Sequence, residues 1–164
     1  MKILVTGANG YLGQGVVDAL IKNGHHVVAA DFSTKYVNEK AERMECDLFS
    51  VENPYEYFGK PDAVLHMAWR DGFVHYSENH IVDLPKHYHF LKTMVDAGVG
   101  KICVMGSMHE IGFYEGSINE NTPCHPMSLY GIGKDALRNC VAMMTNGKNT
   151  EWQWLRGYYI VGHS

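Results

Sequence analysis

The stretch "KILVTGANGYLG", residues 2–13, joins a short apolar run to three glycines at every third position. The apolar run at 2–6 has the length and composition of a buried strand. In the turn that follows, Gly7 permits a tight reversal of the chain, and Gly10 lets another group approach the backbone closely. Gly13 lets a helix pack against the strand. The stretch therefore predicts a strand, a glycine-rich turn and the start of a helix in immediate succession.

Strands and helices alternate along the rest of the chain. The predicted strands are short and apolar, as strands buried on both faces of a parallel sheet are. The strands are predicted at 2–6, 25–31, 62–69, 101–107 and 151–162, and the helices at 12–21, 52–58, 81–97 and 128–145. This alternation predicts the α/β class, with one domain over 1–164 that is built on a doubly wound parallel sheet.

A dinucleotide is the ligand that the first turn favours, because free N–H groups at the start of a helix attract a pyrophosphate. Asp31 ends the second predicted strand, where a carboxylate accepts hydrogen bonds from the adenosine ribose and repels a 2′-phosphate. No lysine or arginine follows before Lys35, so the sequence favours NAD over NADP. A solvated carboxylate at a strand end is the alternative for Asp31. The candidate cofactor contacts in the turn are Gly7, Asn9, Gly10, Tyr11, Leu12 and Gly13.

The composition narrows the possible partners. The chain has 164 residues, of which 46% are hydrophobic and 20% charged, and its formal net charge is −4. This charge gives no general attraction to nucleic acid or to anionic lipids, so we expect neither as a partner. No apolar stretch approaches the roughly 20 residues that cross a bilayer. A small molecule is the expected partner.

The cysteines bear on the cellular compartment. Cys46, Cys103, Cys124 and Cys140 show no C-x-x-C spacing, and two of them fall in segments predicted to be buried. Reduced thiols fit this pattern better than disulfides. The N-terminus enters the first strand without the features of a signal peptide. We therefore expect a cytoplasmic protein.

Five separated motifs occur in a recognisable order. They are T-G-x-x-G-x-x-G at 6–13, an acid-leucine pair at 47–48, "HMAW" at 66–69, a serine at 107 and Y-x-x-x-K at 130–134. Together they resemble the extended short-chain dehydrogenase/reductases, and within these the NAD-dependent epimerase/dehydratase family. The resemblance implies a Rossmann fold, NAD as cofactor and a sugar or nucleotide sugar as substrate.

Tyr130 and Lys134 lie one helical turn apart on the same predicted face. A tyrosine, with an ordinary pKa near 10, becomes a base at neutral pH only when a cation stabilises the phenolate, and Lys134 can supply that cation. Such a pair also occurs by chance. The resemblance implies that Tyr130 exchanges a proton with the substrate during hydride transfer, that Lys134 lowers its pKa and holds the nicotinamide ribose, and that Ser107 orients the substrate oxygen.

The resemblance implies further cofactor contacts. Asp47 and Leu48 match the pair that flanks adenine, although an acid at a strand end can equally cap a helix. Met67, Ala68 and Trp69 match the segment that passes the cofactor phosphates and ribose. Trp69 departs from the family, which has a small residue at its position.

Several other residues that could bear on function lie outside the five motifs. Asp83 occupies the position that best matches an asparagine of the family, and Pro85 is expected to disturb its helix unless it lies in the first turn. The histidines lack a shared ligand pattern such as H-E-x-x-H, so we assign no metal site and favour structural or surface roles. His109 follows Ser107 on the loop expected to border the substrate. Glu110 is an acid near Ser107, where a dehydratase usually has one, but we do not recognise its spacing as a dehydratase pattern.

The reaction itself stays open, because epimerisation, dehydration and oxidation share the first hydride transfer. The leading prediction is an epimerase/dehydratase-type oxidoreductase acting on a sugar or nucleotide sugar. The segment "GSMHEIGFYEG", residues 106–116, is similar to uronate dehydrogenases, which makes a uronate dehydrogenase the second candidate. A non-catalytic NAD(H)-sensing regulator is the third.

The resemblance has two further implications, one for the domain content of the chain and one for its assembly. Complete relatives continue into a smaller substrate-binding domain, so we expect that domain to be absent here and the 164-residue chain to turn over little by itself. Relatives also pair through two helices in a four-helix bundle, one of which carries the Y-x-x-x-K motif, so a homodimer is a plausible assembly.

Overall fold

A computed structural model describes residues 1–162 and contains one six-stranded sheet. The strands are β1 (Lys2–Thr6), β2 (His26–Asp31), β3 (Glu42–Glu45), β4 (Ala63–His66), β5 (Lys101–Ser107) and β6 (Glu151–Gly157). All neighbours pair in parallel, in the order β3-β2-β1-β4-β5-β6. The predicted doubly wound α/β class is confirmed. The predicted domain also includes His163 and Ser164, which lie outside the described residues.

Helices connect the strands on both faces of the sheet. They are α1 (Tyr11–Lys22), α2 (Pro54–Tyr57), α3 (Asn79–Val82), α4 (Leu84–Asp96) and α5 (Leu129–Thr145), with 3₁₀ turns at Leu48–Ser50 and Met108–Glu110. Ser128 caps α5 by accepting a hydrogen bond from the Gly131 N–H at 3.1 Å. None of the helices within residues 1–162 is both long enough and apolar enough to span a membrane.

The core has two layers because successive side chains of a strand point to opposite faces. Leu4 of β1 packs in the layer that includes the apolar faces of α4 and α5. Its neighbours Ile3 and Val5 pack in the other layer, together with Val17 of α1. Full burial of such a side chain stabilises the fold by about 1.5–3 kcal/mol. The central strands are therefore held from both sides, which fixes the positions of the loops at their carboxyl ends.

Several elements differ from the sequence prediction. The strands predicted over 62–69 and 151–162 end earlier, at His66 and Gly157. The helix predicted over 81–97 is two helices, α3 and α4, which meet at Asp83, and Pro85 lies in the first turn of α4, where a missing N–H costs nothing. The strand β3 was not predicted. Its sequence, "ERME", has only one partly buried position, Met44, because β3 lies at the edge of the sheet.

Candidate active site

A cleft of about 730 Å³ opens at the carboxyl ends of the central strands. The strand order reverses between β1 and β4, and ligands of doubly wound sheets bind at such a switch point. Four separate segments contribute predicted cofactor contacts to its wall: Gly7, Asp31, Asp47, Leu48, Met67, Ala68 and Trp69. The structure thus brings together residues that the sequence scatters over more than sixty positions.

The glycine turn at the cleft has no room for side chains. Gly7 has a left-handed φ of 68°, and a Cβ there would lie 2.7 Å from the Ala68 nitrogen. A Cβ at Gly13 would lie 2.2 Å from the Gly7 carbonyl oxygen. Gly10 precedes α1 without a side-chain cap, so the first N–H groups of α1 have no side-chain acceptor from that position. The turn therefore fits the pyrophosphate of a dinucleotide.

The remaining predicted turn residues have other surroundings. Tyr11 is 53% exposed and Leu12 is half-buried in the first turn of α1, and neither contributes to the cleft wall. The Asn9 side chain accepts a hydrogen bond from the Tyr36 N–H at 2.8 Å. Asn9 therefore anchors the segment after β2, and its part in cofactor binding stays a prediction.

Asp31 is oriented by two backbone donors. Its Oδ2 accepts from the Asn9 N–H at 2.9 Å, and its Oδ1 accepts from the Phe32 N–H at 2.8 Å. Each carboxylate oxygen retains further lone-pair capacity at the edge of the cleft. The side chain is thus held in one orientation on the cleft wall, and its contact with ribose hydroxyls stays a prediction.

Asp47 has a structural contact in addition to its position on the cleft wall. It caps the 3₁₀ turn that follows it, accepting from the Phe49 N–H at 3.2 Å and from the Ser50 hydroxyl at 2.7 Å. The capping role considered as an alternative is therefore found. Leu48 is buried in the core beneath the same wall.

Ser107, Tyr130 and Lys134 meet at the carboxyl end of β5. Burial raises the pKa of Tyr130, the adjacent Ser107 side chain acts to lower it, and Glu110 raises it further. The Lys134 ammonium lies 6.0 Å from the Tyr130 ring centroid and donates instead to the Met105 carbonyl oxygen at 2.6 Å. The expected lowering of the Tyr130 pKa by Lys134 stays a prediction.

Lys134 is buried beneath an indole ring. Its side chain lies 4.0 Å from the centroid of Trp69 and is only 3% exposed. Burial lowers the pKa of Lys134 from 10.5 to about 7, while Glu110 acts in the opposite direction. Trp69, the residue that departs from the family, thus covers the predicted catalytic lysine. The Lys134 ammonium has three N–H donors, and the bond to the Met105 carbonyl occupies one of them.

Imidazole rings surround the phenol of Tyr130. The ring of His75 stacks on it at 5.4 Å, and the ring of His109 lies 5.5 Å from it. The Tyr130 N–H donates to the His75 carbonyl oxygen at 2.9 Å, which ties the loop before α3 to the start of α5. His109 therefore borders Tyr130 as its position after Ser107 suggested. His75 was missed because its loop carries no periodic pattern.

Glu110 is a structural acid. It is fully buried, accepts from the Ser107 N–H at 2.7 Å, and pairs with Arg156 Nε at 2.9 Å. The Trp154 Nε1 also donates to it at 2.9 Å. With its oxygens engaged by these donors, Glu110 binds β5 to β6 and holds Ser107 in place.

Asp83 joins the loop after β4 to α4. It accepts from Arg70 Nε and from Lys86 Nζ, each at 2.8 Å. Burial acts to raise its pKa, but the hydrogen bonds from Lys86 and Arg70 outweigh this and lower it. Asp83 is therefore an ionised anchor on the cleft wall. No group of three or more His, Cys, Asp or Glu side chains within residues 1–162 is arranged to hold a metal ion.

The strand order, the glycine turn and the cleft at the switch point define a Rossmann-type domain. Residues 3–164 match the NAD dependent epimerase/dehydratase family, and the chain belongs to that family. The family predicted from the motifs is thereby confirmed, and its NAD dependence agrees with the predicted cofactor.

Individual relatives are enzymes of nucleotide sugars. The chain is 39% identical over 170 residues to dTDP-6-deoxy-L-talose 4-dehydrogenase (NAD(+)) of Aggregatibacter actinomycetemcomitans, with 99% of the chain and 62% of that protein covered. It is 27% identical to UDP-glucose 4-epimerase of Lactobacillus helveticus, covering 53% of that protein. The structure of UDP-glucose 4-epimerase of Thermotoga maritima with UDP-glucose superposes with a TM-score of 0.81 at 25% identity, covering 95% of the chain and 55% of that protein.

Proposed function

We propose that this chain carries the cofactor site and the acid/base residues of an NAD-dependent oxidoreductase acting on a nucleotide-linked sugar. The observation that carries the proposal is the meeting of Ser107, Tyr130 and Lys134 at the carboxyl end of β5, where Lys134 contacts Trp69 of the cleft wall. The chain spans 62% of the length of the talose dehydrogenase relative, so the activity of the whole protein belongs to the proposal. A further substrate-binding domain stays a prediction.

The chain's own groups suit the binding of a dinucleotide. The glycine turn and the N-terminus of α1 hold the pyrophosphate, and Asp31 accepts hydrogen bonds from the adenosine ribose. The carboxylate disfavours a 2′-phosphate, which supports NAD over NADP. When bound, NAD supplies the hydride chemistry.

Tyr130 supplies the proton chemistry. Its raised pKa keeps the phenol protonated at neutral pH, ready to donate to a substrate carbonyl oxygen that Ser107 orients. The reverse direction, removal of a proton from a hydroxyl, requires a cation nearer to the phenol. A rotation of Lys134 from the Met105 carbonyl toward the ribose and Tyr130 provides that cation. Under this proposal, Lys134 activates Tyr130 as a base only after its Nζ has moved nearer to the phenol than the 6.0 Å that now separates it from the ring centroid.

The substrate class follows from the relative with 39% identity. We propose a dTDP-linked 6-deoxyhexose oxidised at a ring hydroxyl, with epimerisation of a UDP-linked sugar as the alternative within the same chemistry. The uronate dehydrogenase alternative rests on the segment at 106–116. Oxidation accumulates NADH, whereas epimerisation returns the hydride and leaves no net change.

The test is NADH formation by the native protein and by Tyr130→Phe, which removes one oxygen atom. Substrates are dTDP-linked 6-deoxyhexoses, UDP-glucose and free glucuronate, with product analysis for epimers. We expect only slow turnover on a nucleotide sugar, as expected for this 164-residue chain by itself, and a further loss of about 10²- to 10⁴-fold in Tyr130→Phe, because general acid–base catalysis contributes that much. Equal rates in both proteins would refute the role of Tyr130. NADH binding without turnover on any substrate, together with tight, nucleotide-dependent association with another protein, would favour the sensing regulator.

A homodimer in the cytoplasm remains the proposed assembly and location. The homodimer rests on the resemblance, in which α5, the helix that carries Tyr130, is one of the two helices of the bundle. The location rests on the cysteine pattern. Sedimentation velocity measures the oligomeric state directly, and a monomer at all concentrations would refute the dimer.

A further inference from the structure

A chain of hydrogen bonds runs beneath the cleft through three buried polar side chains. The Thr6 hydroxyl oxygen lies 2.8 Å from His66 Nδ1, and His66 Nε2 lies 2.8 Å from His87 Nδ1. The three residues are 1%, 1% and 2% exposed. They come from β1, β4 and α4, so the hydrogen-bonded chain crosses from the sheet to a helix.

The donor and acceptor roles follow from the contacts of Thr6. Its hydroxyl oxygen accepts from the Ala68 N–H at 3.2 Å and from the Met67 N–H at 3.1 Å, which it shares with the Thr6 carbonyl oxygen. These bonds occupy both lone pairs, so the single hydroxyl hydrogen points to His66 Nδ1. His66 therefore carries its ring proton on Nε2, which donates to His87 Nδ1. His87 in turn carries its proton on Nε2.

Both imidazoles are neutral, as this arrangement requires. Burial lowers the pKa of His66 well below its ordinary value, and His87 and Lys134 act in the same direction. Burial together with Lys134 lowers the pKa of His87 to about 3, although Asp83 acts to raise it. A second ring proton is therefore excluded at neutral pH, and each ring has one tautomer.

The free end of the hydrogen-bonded chain reaches the cleft. His87 lies on the cleft wall, and its Nε2 forms no hydrogen bond within residues 1–162. Every fully buried side-chain nitrogen or oxygen in that part of the chain has a partner, so this Nε2 reaches solvent. The ring is stacked on Trp69 at 4.4 Å and contacts the edge of Phe49 at 4.8 Å, which fixes its orientation.

We propose that the His87 Nε2–H donates a hydrogen bond to an oxygen of the bound dinucleotide. Thr6 and His66 are the positioning residues, because they hold the proton on Nε2. The inference rests on the proposed cofactor and adds a contact that none of the sequence motifs contains. A neutral donor suits a phosphate or ribose oxygen. The backbone of Gly7 and Ala68 lines the same cleft as His87.

Two variants of His87 test the roles of its two ring nitrogens separately. In His87→Asn, the amide oxygen can still accept from His66 Nε2–H, but the side chain is too short to donate into the cleft. In His87→Gln, the longer side chain can place an N–H near the position of Nε2. We expect NADH titration, followed by nicotinamide fluorescence, to show binding weakened about 3- to 10-fold in His87→Asn and within about twofold of native in His87→Gln. Equal binding by the native protein and His87→Asn would overturn the proposal.

The tautomers are tested without any ligand. Nitrogen-15 spectra of the folded native protein should show both His66 and His87 with the hydrogen on Nε2, and a hydrogen on Nδ1 of either ring would overturn the proposal. The NADH titration also tests the proposed cofactor and the proposed His87 contact separately. Failure of the native protein to bind NADH would overturn the cofactor and this contact together, whereas tight native binding that His87→Asn leaves unchanged would overturn the contact alone.

Discussion

The buried ammonium of Lys134 makes the stability of the fold depend on pH. Its pKa is about 7 in the folded protein, against the ordinary value of 10.5. Between these values the unfolded chain binds more protons than the folded one, so the free energy of unfolding rises with pH. With these two pKa values, the cost of burying Lys134 falls from about 4 kcal/mol at about pH 7.5 to about 1.5 kcal/mol at about pH 9.5. The native protein should gain about 2.5 kcal/mol from this residue over that interval.

Urea unfolding at both pH values, for the native protein and for Lys134→Met, isolates the effect. Other groups, including the cysteines, titrate equally in both proteins and cancel in the comparison. We expect the native protein to gain about 2.5 kcal/mol relative to Lys134→Met as the pH rises, because the methionine has no proton to lose. Lys22→Met, at an exposed position of α1, should follow the native curve. Parallel curves for native and Lys134→Met would refute the burial of the charge.

Two further substitutions have matched controls. A Cβ at Gly13 would lie 2.2 Å from a backbone carbonyl oxygen, whereas a Cβ at Gly15 would have nothing within 4 Å. In urea unfolding, Gly13→Ala should therefore lower the free energy of unfolding by about 3 kcal/mol, and Gly15→Ala should raise it by about 0.5–1 kcal/mol. Equal effects would contradict the packing of the turn. Glu110→Gln removes the fully buried charge that pairs with Arg156 and should lower the free energy of unfolding by about 3 kcal/mol. The control Glu56→Gln, in an exposed pair with Lys60, should change the free energy of unfolding by less than about 0.5 kcal/mol. A loss below about 1 kcal/mol for Glu110→Gln would contradict the buried pair.

The elements around the glycine turn could be predicted from the sequence because their signals are local. The strand, the turn and the acid at the end of β2 each occupy a few consecutive residues, and their types are dictated by backbone geometry. The Y-x-x-x-K pair was found for the same reason. The meeting of Gly7, Asp31 and Ala68 in one cleft then follows from the parallel order of the strands.

The contacts that tune the site could not be predicted, because they join side chains far apart in the sequence. Thr6 and His66 are 60 residues apart, and nothing in either segment indicates a shared hydrogen bond. The contact between the Trp69 ring and the Lys134 ammonium likewise depends on how α5 packs beside the loop after β4. The sequence therefore predicted the catalytic pair but not the contacts of Lys134 with the Met105 carbonyl and the Trp69 ring.

The central claim is that the cleft binds NAD through the glycine turn and Asp31. The most direct measurement is a fluorescence titration of the native chain and of Asp31→Ala with NADH and with NADPH, with circular dichroism to show that both proteins are folded. We expect the native protein to bind NADH more tightly than NADPH, and Asp31→Ala to lose this preference, because the substitution removes both the ribose acceptor and the charge that repels a 2′-phosphate. Folded native protein that binds neither nucleotide, or that prefers NADPH, would contradict the account.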